Sequence, residues 1–233
     1  MIDKKLVNQE LKRFWNMSIA LTPEQKEEMK QYKGMDAKEL VPSPKLFEAS
    51  KLLGKCKKVL DYGCGTAWAA IVANKYGCKD VTAVDLGEDI IDSANYYASL
   101  CDAKINSFAI DPDWLVGVNK ETYDGIVCSN VLDVVPLETA KEIIERLAKV
   151  ATKDALVIIG LNFYMPPEVA VQRGMALQEG KYLFVDNVLR LLSLSDDEWK
   201  ELLTPYFDIQ KLEYFAWPGE QKETRRLFIL RKR

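Results

Sequence analysis

Over residues 1–54 the apolar side chains recur at helical intervals. Val7, Leu11, Phe14, Trp15 and Ser18 share one helix face, whose large apolar members need a surface to pack on. Thr22, Pro23 and Gln25 have the grammar of a helix start: a capping hydroxyl, a proline where no N–H is needed, and an amide that reaches back. Ser43 and Pro44 repeat that opening and Gly54 supplies a stop. Residues 1–54 thus predict a cap of three helices.

From residue 57 the pattern changes to short, continuous apolar runs between amphipathic stretches. It predicts strands at 58–63, 80–86, 105–110, 123–131 and 155–163. Helices are predicted over 67–76, closed by Gly77, over 88–100, with Ile90, Ile91, Ala94 and Tyr97 on one face, and around Ala140, Ile143, Ile144 and Leu147. Strands without polar alternation are buried on both faces, which predicts a parallel sheet between two helix layers, joined by right-handed crossovers.

An insertion at about 163–200 interrupts the alternation. Within it, 182–192 predicts a hairpin turning at Asp186 and Asn187, and Ser195 with Glu198 a capping box. Residues 206–217 and 224–232 predict two antiparallel strands around a turn containing Pro218 and Gly219. The expected organisation is a helical cap over 1–54 and an α/β domain over 55–233 carrying a lid insertion.

Composition narrows the function. A chain of 233 residues, 48% hydrophobic and 29% charged, has the balance of a soluble globular protein, and no apolar run approaches the roughly 18 residues that span a bilayer. Acids and amides interrupt Met1 to Lys12, unlike the apolar core of a secretory signal, so a cytoplasmic location and no membrane partner are expected. The net charge of -3 argues against a nucleic-acid partner and for a small molecule. Cys56, Cys64, Cys78, Cys101 and Cys128 include no C-x-x-C pair, which predicts buried thiols and no metal site. There is no histidine, which excludes hydrolases with a His base and His-ligated metals; proton transfer falls to Asp, Glu, Tyr, Lys or Cys.

Candidate chemistry centres on residues 59–67, VLDYGCGTA. Gly63 and Gly65 end the first predicted strand, where backbone must approach a ligand and a helix N-terminus follows. Asp85 ends the second strand, 22 residues after Gly63, a spacing that suits a carboxylate accepting from both hydroxyls of a ribose. A dinucleotide fingerprint would need glycine where Trp68 stands, and a phosphate loop would need a lysine that GCGTAWAA lacks.

These residues, with VTAVDLGEDIIDSA at 81–94, resemble the first two motifs of class I S-adenosylmethionine-dependent methyltransferases (type 11/25-like) over roughly residues 43–163. The resemblance implies a three-layer Rossmann-like α/β fold with a seven-stranded mixed sheet, order 3-2-1-4-5-7-6, the last strand antiparallel. It also implies S-adenosylmethionine as cofactor and methyl transfer as reaction. By it Asp61 sits near the loop that bonds the methionine end, and Gly63, Cys64 and Gly65 lie along the cofactor. Asp85 takes the ribose and Leu86 the adenine face; Ile110 and Asp111 stand by the adenine amino group, and Ser129 and Asn130 line the cofactor after the fourth strand.

Three departures bear on the chemistry. Ala67 replaces a common glycine, a change expected to cost little at a helix start; Pro112 removes an N–H that many relatives give to the adenine; and Asp133-Val134 stands where histidine is frequent. Asp133 is the candidate catalytic residue, with helix capping as its alternative role. Trp15, Tyr32, Tyr164 and Trp217 stand on segments able to roof the site, with burial in the core as the alternative for each, and the aromatic and acidic content of cap and insertion points to a cationic or aromatic metabolite. Rival readings are a non-catalytic protein that binds S-adenosylmethionine or S-adenosylhomocysteine, a nicotinamide oxidoreductase, against which Trp68 stands, and a nucleic-acid methyltransferase, whose Asn-Pro-Pro-aromatic tetrapeptide is replaced by SNVL.

Overall fold

Each apolar run predicted as a strand forms one in the structure, a computed structural model that describes residues 3–233. The first two positions of the 1–54 segment lie outside the described residues. Helices α1 (Lys4–Ile19), α2 (Pro23–Met29) and α3 (Pro44–Leu53) precede the sheet. Strands β1 (Lys58–Tyr62), β2 (Asp80–Asp85), β3 (Asn106–Ala109), β4 (Tyr123–Ser129) and β5 (Ala151–Leu161) then alternate with α4 (Trp68–Lys75), α5 (Glu88–Leu100), α6 (Trp114–Gly117) and α7 (Leu137–Val150). Strand β5 starts ahead of its apolar run because Ala151 already pairs with Tyr123, before an irregularity in register.

Local chemistry sets the helix starts. Thr22 and Gln25 form the predicted capping box, but the Ser43 hydroxyl makes no cap bond, so the preset φ of Pro44 opens α3. Helix α4 begins at Trp68, because Ala67 is left-handed with φ 56. Such a conformation costs a residue with a Cβ roughly 1–2 kcal/mol, so the glycine-to-alanine change is not the mild one expected.

The insertion holds α8 (Pro167–Gln172) and a separate antiparallel sheet of β6 (Ala176–Gln178), β7 (Tyr182–Val185) and β8 (Val188–Leu192). Asp186 and Asn187, with φ 50 and 63, make the tight turn between β7 and β8, the paired positive φ that a two-residue hairpin loop needs. Helix α9 (Asp196–Leu203) opens on the predicted Ser195–Glu198 capping box, and β9 (Phe207–Phe215) and β10 (Arg225–Lys232) end the chain as antiparallel neighbours.

The main sheet runs β3-β2-β1-β4-β5-β10-β9, the predicted order, with β10 antiparallel to both neighbours. One core packs α7 against Leu60, Ile126 and Val157; the other packs α3 and α4, through Leu46, Phe47, Leu53 and Ile71, against Val59, Val81 and Val127. Helix α3 therefore covers the sheet, and the segment standing over the strand ends is α1. Among the described residues no helix is long and apolar enough to cross a membrane.

Candidate functional site

The carboxyl ends of β1 and β2 are tied together by the loop between β1 and α4. Gly63 and Cys64 donate their N–H groups to the Val84 carbonyl at 2.9 and 3.0 Å, and the Gly65 N–H donates to Asp85 Oδ2 at 2.9 Å. The Leu86 N–H takes the other oxygen, Asp85 Oδ1, at 2.7 Å. Gly63 and Gly65 have φ 70 and 53, and a Cβ on Gly63 would meet Val131 Cγ2 at 2.2 Å. The bare backbone of Gly63 is thus required by a neighbouring side chain as well as by its own conformation.

Asp61 is buried below this loop, where Oδ2 accepts from the Ala70 N–H at 3.1 Å. Burial pushes its carboxyl up to about 7, against the pull of that bond and with a smaller push from Asp85. Burial also raises Asp85, opposed by the N–H groups of Gly65, Leu86 and Gly87. The Cys64 and Cys128 thiols are raised well above their ordinary value, again chiefly by burial and then by the nearby Asp61 charge.

Above the loop lies a cavity of roughly 790 Å³, within the range of small-molecule sites. Asp61, Gly63, Cys64, Gly65, Asp85, Leu86, Ile110, Ser129 and Asn130 all line it. Asp111 does not; Pro112 and Asp113 stand at the wall instead. Ser129 Oγ and Asn130 Oδ1 are buried and have no hydrogen-bond partner among the described residues. The Ser129 hydroxyl packs against Gly160, where an added Cβ would lie 2.4 Å from its oxygen, so both residues meet the cavity through other atoms.

Asp133 lies elsewhere. Fully buried outside the cavity, its Oδ2 accepts from the Asn162 N–H, and the cation of Arg226 opposes the upward shift that burial imposes on it. It makes no cap bond to α7, whose N-cap is Pro136.

One face of α1 roofs the cavity through Leu11, Lys12, Trp15 and Ile19, and α7 adds Thr139, Glu142, Ile143 and Arg146, at the spacing of one helix face. Trp15 and Trp217 are brought to the site as their segments implied, whereas Tyr32 and Tyr164 are exposed away from it. No residue of 163–200 lines the cavity. The insertion instead supports the roof: the Arg190 guanidinium of β8 lies 4.2 Å from the Phe14 ring centre and 5.8 Å from that of Trp15.

Sequence reasoning missed Leu40, Pro42, Val131 and the α7 face. The α7 residues share a helical period that was legible; Leu40 ends a single 3-10 turn, Ala37–Leu40, and Pro42 follows it, too short a stretch to show a period.

An open α/β sheet whose strand order turns at β1 and whose cavity sits on the carboxyl ends of β1, β2 and β4 defines the class of Rossmann-like nucleoside-binding domains. Residues 59–154 match the methyltransferase domain family. A ribosomal protein L11 methyltransferase from Cupriavidus metallidurans is 33% identical over 112 residues, 48% of this chain and 34% of that protein. The chain thus spans about a third of the length of that curated relative. A S-adenosylmethionine-dependent methyltransferase structure from Methanosarcina mazei superposes with a TM-score of 0.63 at 18% identity, covering 75% of this chain and 92% of the other. The magnesium protoporphyrin IX methyltransferase from Synechocystis gives 0.60 at 17%, covering 81% and 84%. Residues 59–154 are therefore a methyltransferase domain, and in fold the chain is similar to S-adenosylmethionine-dependent methyltransferases.

Proposed function

We propose that the chain is an S-adenosylmethionine-dependent methyltransferase acting on a small molecule. The observation that carries this reading is the Asp85 carboxylate, fixed by the N–H groups of Gly65 and Leu86 at the floor of the cavity. Each of its oxygens keeps acceptor capacity for a ribose hydroxyl. Ser129 and Asn130 line the same cavity, and Trp68, standing where a dinucleotide site has glycine, supports the adenosyl cofactor over nicotinamide.

When bound, the cofactor supplies a methyl group on positively charged sulfur. The chain's own contribution is positional: Asp85 and Leu86 would hold the nucleoside and the glycine loop the methionine end, with α1 and Trp217 walling the space around them. Alignment alone contributes about 7–11 kcal/mol, so a direct displacement does not depend on a strong base. The small-molecule assignment is supported by the concave shape of the site, where α1 and the Trp217–Pro218 turn stand as walls beside the glycine loop.

The test is calorimetric titration of the chain and of Asp85→Ala with S-adenosylmethionine, S-adenosylhomocysteine and NAD. Saturable binding of either adenosyl ligand, lost in the variant, is expected; preference for NAD, or binding of neither adenosyl ligand, would overturn the reading.

A further inference from the structure

We propose that the methyl acceptor is a flat, uncharged aromatic molecule held at the end of the cavity walled by Leu40, Pro42, Trp68, Trp217 and Pro218. The inference rests on the methyltransferase reading and names its substrate class.

The cavity has two chemically different ends. Leu86 and Ile110 follow β2 and β3, on one side of β1 in the sheet order; Trp217 and Pro218 follow β9, on the other. Packing separates them as well: Leu40, Trp68 and Trp217 lean on the core beneath α3 and α4, while Trp15, Leu86 and Val135 lean on the core beneath α7. With the nucleoside at Asp85, Leu86 and Ile110, the Trp217 end is left for the acceptor.

Charge is distributed just as unevenly. Lys4, Lys12, Asp113, Glu142 and Arg146 reach the cavity from α1, the approach to α6, and α7, whereas Asp61 and Asp85 belong to the glycine loop and its ribose site. None of the lining residues from 40–42, 66–68 or 217–218 is ionisable; Thr66 is the polar one among them. A carboxylate or ammonium on the acceptor would lose its hydration there without gaining a partner, and an aromatic ring would gain indole faces.

Trp217 is also fixed in advance. The Arg225 guanidinium lies 3.7 Å from the centre of its ring. Arg225 donates from Nε and Nη2 to Glu220 Oε1 at 3.0 and 2.6 Å, and from Nη1 to Asn162 Oδ1. Glu220 Oε2 accepts from the Trp217 N–H at 2.8 Å, so the carboxylate that neutralises the arginine also closes the turn. The Trp217 Nε1–H is buried with no acceptor among the described residues, so what Trp217 offers the cavity is its ring rather than a hydrogen bond. In the transfer itself the acceptor's lone pair forms the new bond to the methyl carbon, the carbon–sulfur pair stays on sulfur, and the acceptor's proton leaves to water.

The test uses the full chain saturated with S-adenosylhomocysteine and a matched series on one ring: neutral 5-hydroxyindole, anionic 5-hydroxyindole-3-acetate and cationic 5-hydroxytryptamine. Calorimetry is expected to show the neutral compound bound at least about tenfold tighter than either charged one. Trp217→Leu should weaken it by about tenfold and Trp217→Phe by less, with S-adenosylhomocysteine affinity unchanged in both. Equal or tighter binding of a charged compound, binding of none of the three, or an unaltered Trp217→Leu would overturn the proposal. Failure of S-adenosylhomocysteine to bind would strike the cofactor reading instead.

Discussion

The guanidinium of Arg190 stacks on the ring of Phe14 at 4.2 Å, so a strand of the insertion grips the helix that roofs the cavity. A contact of this type is worth about 0.5–2 kcal/mol. Arg190→Ala should therefore loosen α1 and weaken adenosyl-ligand binding several-fold, and Arg190→Lys should restore part of it. Faster hydrogen exchange confined to the α1 amides is the diagnostic readout; unchanged exchange would mean that the insertion does not support the roof.

Gly63 and Val131 form a second such pair. Gly63→Ala places a Cβ 2.2 Å from Val131 Cγ2 at a positive φ of 70, combining roughly 1–2 kcal/mol of backbone strain with about 1–3 of overpacking. Trimming the neighbour relieves only the second part. In urea unfolding, Gly63→Ala with Val131→Ala should lose less than the sum of the two single changes, and simple additivity would refute the clash.

Asp61 makes stability depend on pH. Its folded carboxyl sits at about 7, well above an ordinary aspartate, so between about pH 4 and 7 the folded chain holds a proton that the unfolded chain has released. The state that binds more protons is favoured by acid, so this group's contribution falls as pH rises through that window and is flat above it. The full loss approaches about 4 kcal/mol. Asp61→Asn keeps an oxygen for the Ala70 N–H and should flatten that part of the stability–pH curve; an unchanged slope would place the titration elsewhere.

Asp133 is isolated from the cavity, which separates structure from chemistry at this position. Asp133→Asn retains an acceptor for the Asn162 N–H but removes the charge facing Arg226, so it should lower the denaturation midpoint. Once methyl transfer is assayed with an identified acceptor, kcat should fall by less than about tenfold, because general acid–base catalysis contributes about 10²–10⁴-fold and this carboxyl has no route to it. A loss of 10²-fold or more at unchanged stability would assign it a direct role.

The sheet was legible because each buried strand is a continuous apolar run and each crossover helix carries an apolar stripe; Glu88–Leu100 begins and ends where its pattern does. Asp186-Asn187 and the boxes at Thr22 and Ser195 were legible because their side chains satisfy local backbone demands. Strand β6 was not, since Ala176, Leu177 and Gln178 are all exposed and show no alternation. The cavity was half legible: Asp61 and the glycines share one short stretch and Asp85 follows at the end of the next strand, whereas its roof is assembled from α1, α7 and the Trp217–Pro218 turn. Asp113 in place of Asp111 at the wall is a matter of which way a turn after β3 faces, which composition does not encode.

The roof also dictates an order of assembly. Helix α1 is synthesised before the strand that clasps it, carrying Arg190, and before the turn carrying Trp217. A chain emerging from the ribosome therefore has its glycine loop, Asp61 and Asp85 in hand well before the far wall of the cavity is made, and α1 must wait with Phe14 and Trp15 short of their Arg190 contact. Slow synthesis of the C-terminal third would lengthen that wait and the exposure to aggregation that accompanies it.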